Sequence, residues 1–118
     1  MKRFILMITF VIIASMTASA QDDYAKRKAE GYMREAEYCQ NKADGHRREA
    51  QSYLNDAAGY LREMEYYKKR NDLDRARTQQ KYAERAFDNS RTQLRYAAEA
   101  EDKAAQYYRW AADALSKH

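Results

Sequence analysis

Residues 29–70 read AEGYMREAEYCQNKADGHRREAQSYLNDAAGYLREMEYYKKR. One column of that stretch, spaced by sevens, holds Ala29, Ala36, Ala43, Ala50, Ala57 and Met64. Three residues further on lies a column of larger groups: Tyr32, Cys39, His46, Tyr53, Tyr60 and Tyr67. On a helix of about 3.6 residues per turn this 3-4 spacing puts both columns on one narrow stripe, so the stretch is predicted to be a helix that buries the stripe against a partner helix. A coarser period of fourteen is superposed, visible as AEGYMRE at 29–35, ADGHRRE at 43–49 and AAGYLRE at 57–63. Duplication of a two-heptad unit leaves such a trace.

Beyond Arg70 the order of small and large inverts. Small residues fall at Ala76, Ala83, Ser90, Ala97, Ala104 and Ala111, and the larger Gln80, Phe87, Leu94, Glu101, Tyr108 and Leu115 come four positions later instead of three. A helix folded back on itself meets its partner in reverse order, so the inversion predicts an antiparallel hairpin. Folding near Asn71 sets Ala29 against Leu115, Ala36 against Tyr108, Ala50 against Leu94 and Ala57 against Phe87. The alternate layers pair Tyr32 with Ala111, Tyr53 with Ser90, Tyr60 with Ala83 and Tyr67 with Ala76. Each layer then fills to a similar volume. Lys68, Lys69 and Arg70 suit the negative end of a first helix, Asn71 suits a left-handed cap, Asp72 an N-cap, and Asp74 the positive first turn of a second helix.

The fold class is therefore all-α, a long antiparallel two-helix coiled-coil hairpin of Ala-rich heptads. Helix 1 is expected over about 23–70, the turn over about 71–73 and helix 2 over about 73–117. Each arm would be roughly 70 Å long at 1.5 Å per residue. Proline is absent, and Ala, Glu, Lys, Arg and Gln favour helix. Alanine buries little area, so two helices gain little per heptad. Met33, Leu54, Leu61, Tyr82, Tyr96, Tyr107 and Trp110 lie beside the seam, and self-association into a four-helix bundle would cover them.

Residues 1–20 read as a cleaved secretory signal: Lys2 and Arg3, an apolar run from Phe4 to Met16, then Ala18-Ser19-Ala20. Cleavage after Ala20 leaves 21–118 as one domain, exported to the periplasm or secreted. Loss of Lys2 and Arg3 takes the formal charge from +4 to about +2 over a surface of mixed sign, which gives no footing for a nucleic-acid partner. The single cysteine, Cys39, has no internal partner for a disulfide; it is either buried or bonded between chains.

Three constellations merit a functional reading. Cys39, His46 and Glu101 are ligand-type side chains on one stretch of seam, but Cys39 and His46 stand about 10.5 Å apart along the axis against metal bonds of about 2.0–2.3 Å. A polar interruption that fixes register explains them better than an ion, so no metal is expected. Gly31, Gly45 and Gly59 recur on an outward face in alternation with Tyr38, Ser52 and Tyr66. Each helical glycine costs about 1 kcal/mol against alanine, so a partner close to the backbone there, anchored by Tyr38, Tyr66, Tyr107 and Trp110, is one explanation; inheritance through the duplication is the other. The chain also has eleven tyrosines, several of them already used in the seam.

No haem-attachment, HExxH, phosphate-loop or di-iron motif occurs, and a two-helix hairpin offers no enclosed pocket, so neither an enzyme nor a cofactor is expected. The expectation is an exported non-catalytic coiled-coil protein acting through protein-protein contacts in the cell envelope, as spacer, adaptor or holdase-like module. The first alternative is an amphipathic helical protein that binds lipid or membrane surfaces, although such helices favour wide apolar faces. The second is a metal-binding helical bundle.

Overall fold

The computed structural model describes residues 20–116, with side chains described from Asp23 onward. The signal segment read from Lys2, Arg3 and Phe4–Met16 lies outside the described residues. Two helices account for the rest. α1 runs from Ala20–Lys69 and α2 from Leu73–Ser116, joined by a tight turn.

The turn is built from the residues its chemistry requires. Asn71 takes φ 59°, the left-handed conformation that lets α1 end abruptly. Its N–H donates to the Lys68 carbonyl at 3.0 Å, and the Asp72 N–H donates to the Tyr67 carbonyl at 3.0 Å. These two bonds are the 5→2 and 6→1 bonds of a Schellman cap and satisfy carbonyls that the helix end would leave bare. Asp72 then opens α2, its Oδ1 accepting from the Arg75 N–H at 3.2 Å and its carbonyl accepting from the Ala76 N–H at 3.0 Å. One residue thus closes the first cap and forms the second. Lys68 and Lys69 in the last turn of α1, and Asp74 in the first turn of α2, place charge to suit each helix dipole.

Among the described residues the contacts divide into two compact units, residues 20–41 with 100–116, and residues 42–99. In the first, Ala29, Ala36, Cys39, Ala104, Tyr108, Ala111 and Leu115 form the buried cluster, with Tyr32, Met33, Tyr107 and Ala114 packed against it. Ala29 and Ala36 of α1 share this cluster with Tyr108 and Leu115 of α2, the larger residues that inverted heptads set opposite them. Tyr108 is held by Gln40, whose Oε1 accepts from its hydroxyl at 3.4 Å. In the second unit Ala43, Ala50 and Ala57 of α1 and Ala76, Ala83, Ala86, Ser90 and Ala97 of α2 are buried.

The α2 side of that second seam departs from the expected layers. Leu94 is 47% exposed and Gln80 is exposed, while Phe87 is only half-buried. Residues one position earlier turn inward instead: Ala86 is buried, and Gln93 faces α1. Positions three and four after a small residue flank the same line on a helix, so either can enter the seam. The smaller Ala86 lets the backbones approach, and Gln93 is drawn in because His46 offers it a hydrogen bond.

Candidate functional site

His46 and Cys39 have structural partners. His46 Nδ1 lies 2.7 Å from Gln93 Oε1, a hydrogen bond between the helices. The Cys39 thiol is buried within the alanine cluster of the first unit. Glu101 is half-buried on α2. Among the described residues no three His, Cys, Asp or Glu side chains come together to hold an ion. Among them, too, no helix is long and apolar enough to cross a membrane.

The glycines are open. A Cβ added at Gly31 or Gly45 would meet nothing within 4 Å, and at Gly59 only the end of the Arg62 side chain at 3.9 Å. The backbone of α1 would therefore take alanine at all three positions, and the chain's own packing gives no reason for glycine. In the same column Tyr38, between Gly31 and Gly45, is 63% exposed; Tyr66, seven residues past Gly59, is 47% exposed, edge-on to Tyr67, with the Arg70 guanidinium 4.4 Å from its ring centre.

Beside each glycine stands an aromatic pair that crosses the seam. Tyr32 packs on Trp110 with ring centres 5.7 Å apart, His46 on Tyr96 at 5.4 Å, and Tyr60 on Tyr82 at 5.4 Å, all three tilted by similar angles of 54°, 58° and 52°. Tyr107 adds a third ring to the first pair, 6.3 Å from Tyr32 and edge-on to Trp110 at 5.4 Å. These distances fall in the range of favourable aromatic contact, yet Tyr82, Tyr96 and Trp110 each keep about two-fifths of their surface in water (40%, 41% and 41%).

Two open clefts lie over these rings. One, of about 370 Å³, is lined by Lys28, Tyr32, Trp110, Asp113 and Ala114. The other, of about 240 Å³, includes Asp56, Tyr60, Tyr82, Arg85 and Ala86 in its lining. Each residue lining the first cleft has a counterpart in the second at a separation of twenty-eight positions, twice the repeat read from the sequence, while Tyr53 and Asn89 line the second alone. Each cleft has a ring pair, an alanine, and one acidic and one basic side chain on opposite helices. Among the described residues neither charge pair closes into a salt bridge.

The sequence marks Gly31, Tyr38, Gly45, Gly59, Tyr66, Tyr107 and Trp110 as contact candidates; Gly31, Tyr107 and Trp110 fall at the ring pair of the first unit, Gly45 and Gly59 beside those of the second, and Tyr38 and Tyr66 continue the glycine column in each. Sequence reading missed Lys28, Asp56, Arg85 and Asp113 as a set. The signal that could have found them is that Tyr82, Tyr96 and Trp110 of α2 recur at the same fourteen-residue interval as the glycines of α1. No family model matches the chain, and none of the curated proteins or solved structures compared with it does either.

Proposed function

We propose that the chain is an exported, non-catalytic coiled-coil protein that works by protein-protein contact in the cell envelope, as a spacer, adaptor or holdase-like module. The observation that carries this reading is the repeated aromatic and glycine edge. Its rings Tyr82, Tyr96 and Trp110 keep about two-fifths of their surface exposed, and its glycines cost helix stability that no contact among the described residues repays. Tyrosine and tryptophan held in place by neighbours are the side chains that anchor protein contacts.

The lipid-surface alternative draws less support. Opening the hairpin would release a seam made mainly of alanine, which offers little apolar area to a bilayer. The metal-bundle alternative draws little as well, because its nitrogen ligand is engaged by Gln93.

The test has two parts. Expression of the whole chain with fractionation and intact mass should give a product beginning at Gln21 outside the cytoplasm. Photo-crosslinking through a probe at Tyr38 in envelope preparations should then give a discrete protein adduct. An unprocessed cytoplasmic chain would remove the export half of the proposal, and a chain with no protein adduct would remove the contact half.

A further inference from the structure

The clefts and the glycines fit one occupant, and that occupant is the chain itself. We propose that this edge is a self-complementary interface through which two copies pair side by side about a twofold axis running along the helices, α1 of one over α2 of its partner. The inference rests on the contact function proposed above and names its partner.

The register follows from the clefts, where Lys28 stands opposite Asp113 and Asp56 opposite Arg85. Continued along the outer column, it sets Gly31 level with Trp110, Gly45 with Tyr96, and Gly59 with Tyr82. Within one chain these rings lean on Tyr32, His46 and Tyr60 and leave the glycines uncovered. A twofold axis along the seam carries each exposed ring of one copy over the matching glycine of the other, where the missing Cβ lets the ring approach the backbone. The glycines then have a physical reason that packing among the described residues of one chain does not supply.

The tyrosines of the glycine column are complementary in the same register. Tyr38 stands level with Lys103 and Tyr66 with Arg75, so each meets a cation across the axis, the geometry of a cation–π contact. The charge column behaves likewise, with Lys28 facing Asp113, Lys42 facing Glu99, and Asp56 facing Arg85. The remaining acidic residues of that column, Glu35, Glu49 and Glu63, meet the uncharged Gln106, Thr92 and Thr78. No like charges are brought together at any of these levels. The antiparallel alternative, α1 over α1 with Lys42 at its centre, sets Glu35 against Glu49 and Lys42 against itself.

Sedimentation of residues 21–118 gives the first readout, with a dimer expected at about 100 μM. The variant Gly31→Ala/Gly45→Ala/Gly59→Ala should unfold at a higher temperature when dilute, yet dimerise at least tenfold more weakly. Opposite signs in one variant separate the interface from simple helix propensity. Lys28→Glu/Lys42→Glu and Glu99→Lys/Asp113→Lys should each stay monomeric with helical circular dichroism, and their mixture should form a one-to-one heterodimer. A monomeric parent chain, a triple-alanine variant that dimerises as tightly as the parent, or a mixture that stays monomeric would each overturn the inference. A monomer that still crosslinks to another envelope protein through Tyr38 would overturn it while leaving the contact function standing.

Discussion

With φ at 59°, Asn71 holds a conformation in which an L side chain crowds the following carbonyl, at a cost of about 1–2 kcal/mol for most residues and little for glycine. Asparagine tolerates it better than most, and the two cap bonds made around it depend on it. Asn71→Gly should therefore hold or slightly raise stability, and Asn71→Val should lower it by about 1–2 kcal/mol, read from urea unfolding followed by circular dichroism. Equal stability of the valine variant would show that the cap does not constrain the turn. Tyr108 gives a second test at this scale. Burial, and then the Glu37 carboxylate beside it, hold its hydroxyl pKa above the ordinary 10.0. A group whose folded pKa is raised contributes fully below its unfolded pKa and loses that contribution as pH climbs through the folded one. Stability should therefore fall more steeply above pH 10 in the parent than in Tyr108→Phe, which cannot ionise there; parallel curves would contradict this account of its surroundings.

At the scale of the element, the small column is buried in both helices, Ala29 to Ala57 in α1 and Ala76 to Ala111 in α2, and the larger column only in part. Tyr32, His46, Tyr53, Tyr60 and Tyr67 of α1 are half-buried, and α2 admits residues from positions three and four beyond its small ones. Ala86→Leu should cost about 1–3 kcal/mol by overpacking a close approach. Leu94→Ala should cost less than about 1 kcal/mol, since Leu94 keeps 47% of its surface in water. Thermal unfolding of the two variants checks the order, and a larger loss at Leu94 would restore the layers expected from spacing alone. The contrast shows what was legible beforehand. The α1 stripe and the reversal at Asn71 could be read because seven-residue spacing and cap chemistry are local. The choice of Ala86 and Gln93 over Phe87 and Leu94 could not, because it depends on how closely α1 approaches and on His46 seeking a partner across the seam. The edge was half legible. Its glycines stand out in any helical sequence, but their correspondence with Tyr82, Tyr96 and Trp110 appears only when the register is known.

For the whole molecule, the relation between seam and edge decides what the chain is suited to do. Alanine at the seam brings helices close without burying much area, so the bulky aromatic side chains are displaced to a flank, where they remain partly in water. A sequence selected only for a stable hairpin would carry leucine in the seam and alanine at 31, 45 and 59. This one carries alanine in the seam and glycine beside exposed rings, a distribution that favours contact with another chain over stability of its own. Protein contact in the envelope, and pairing of two copies along the aromatic edge, both presuppose that each chain doubles back on itself. Electron–electron distance measurement tests that assumption most directly. Spin labels would be placed at the exposed positions Arg34 and Arg109, in a Cys39→Ala background diluted with unlabelled chain. Helix axes packed about 8–10 Å apart predict a label separation under about 30 Å within one molecule; a separation beyond about 60 Å would mean that the helices do not pack together and would contradict the account.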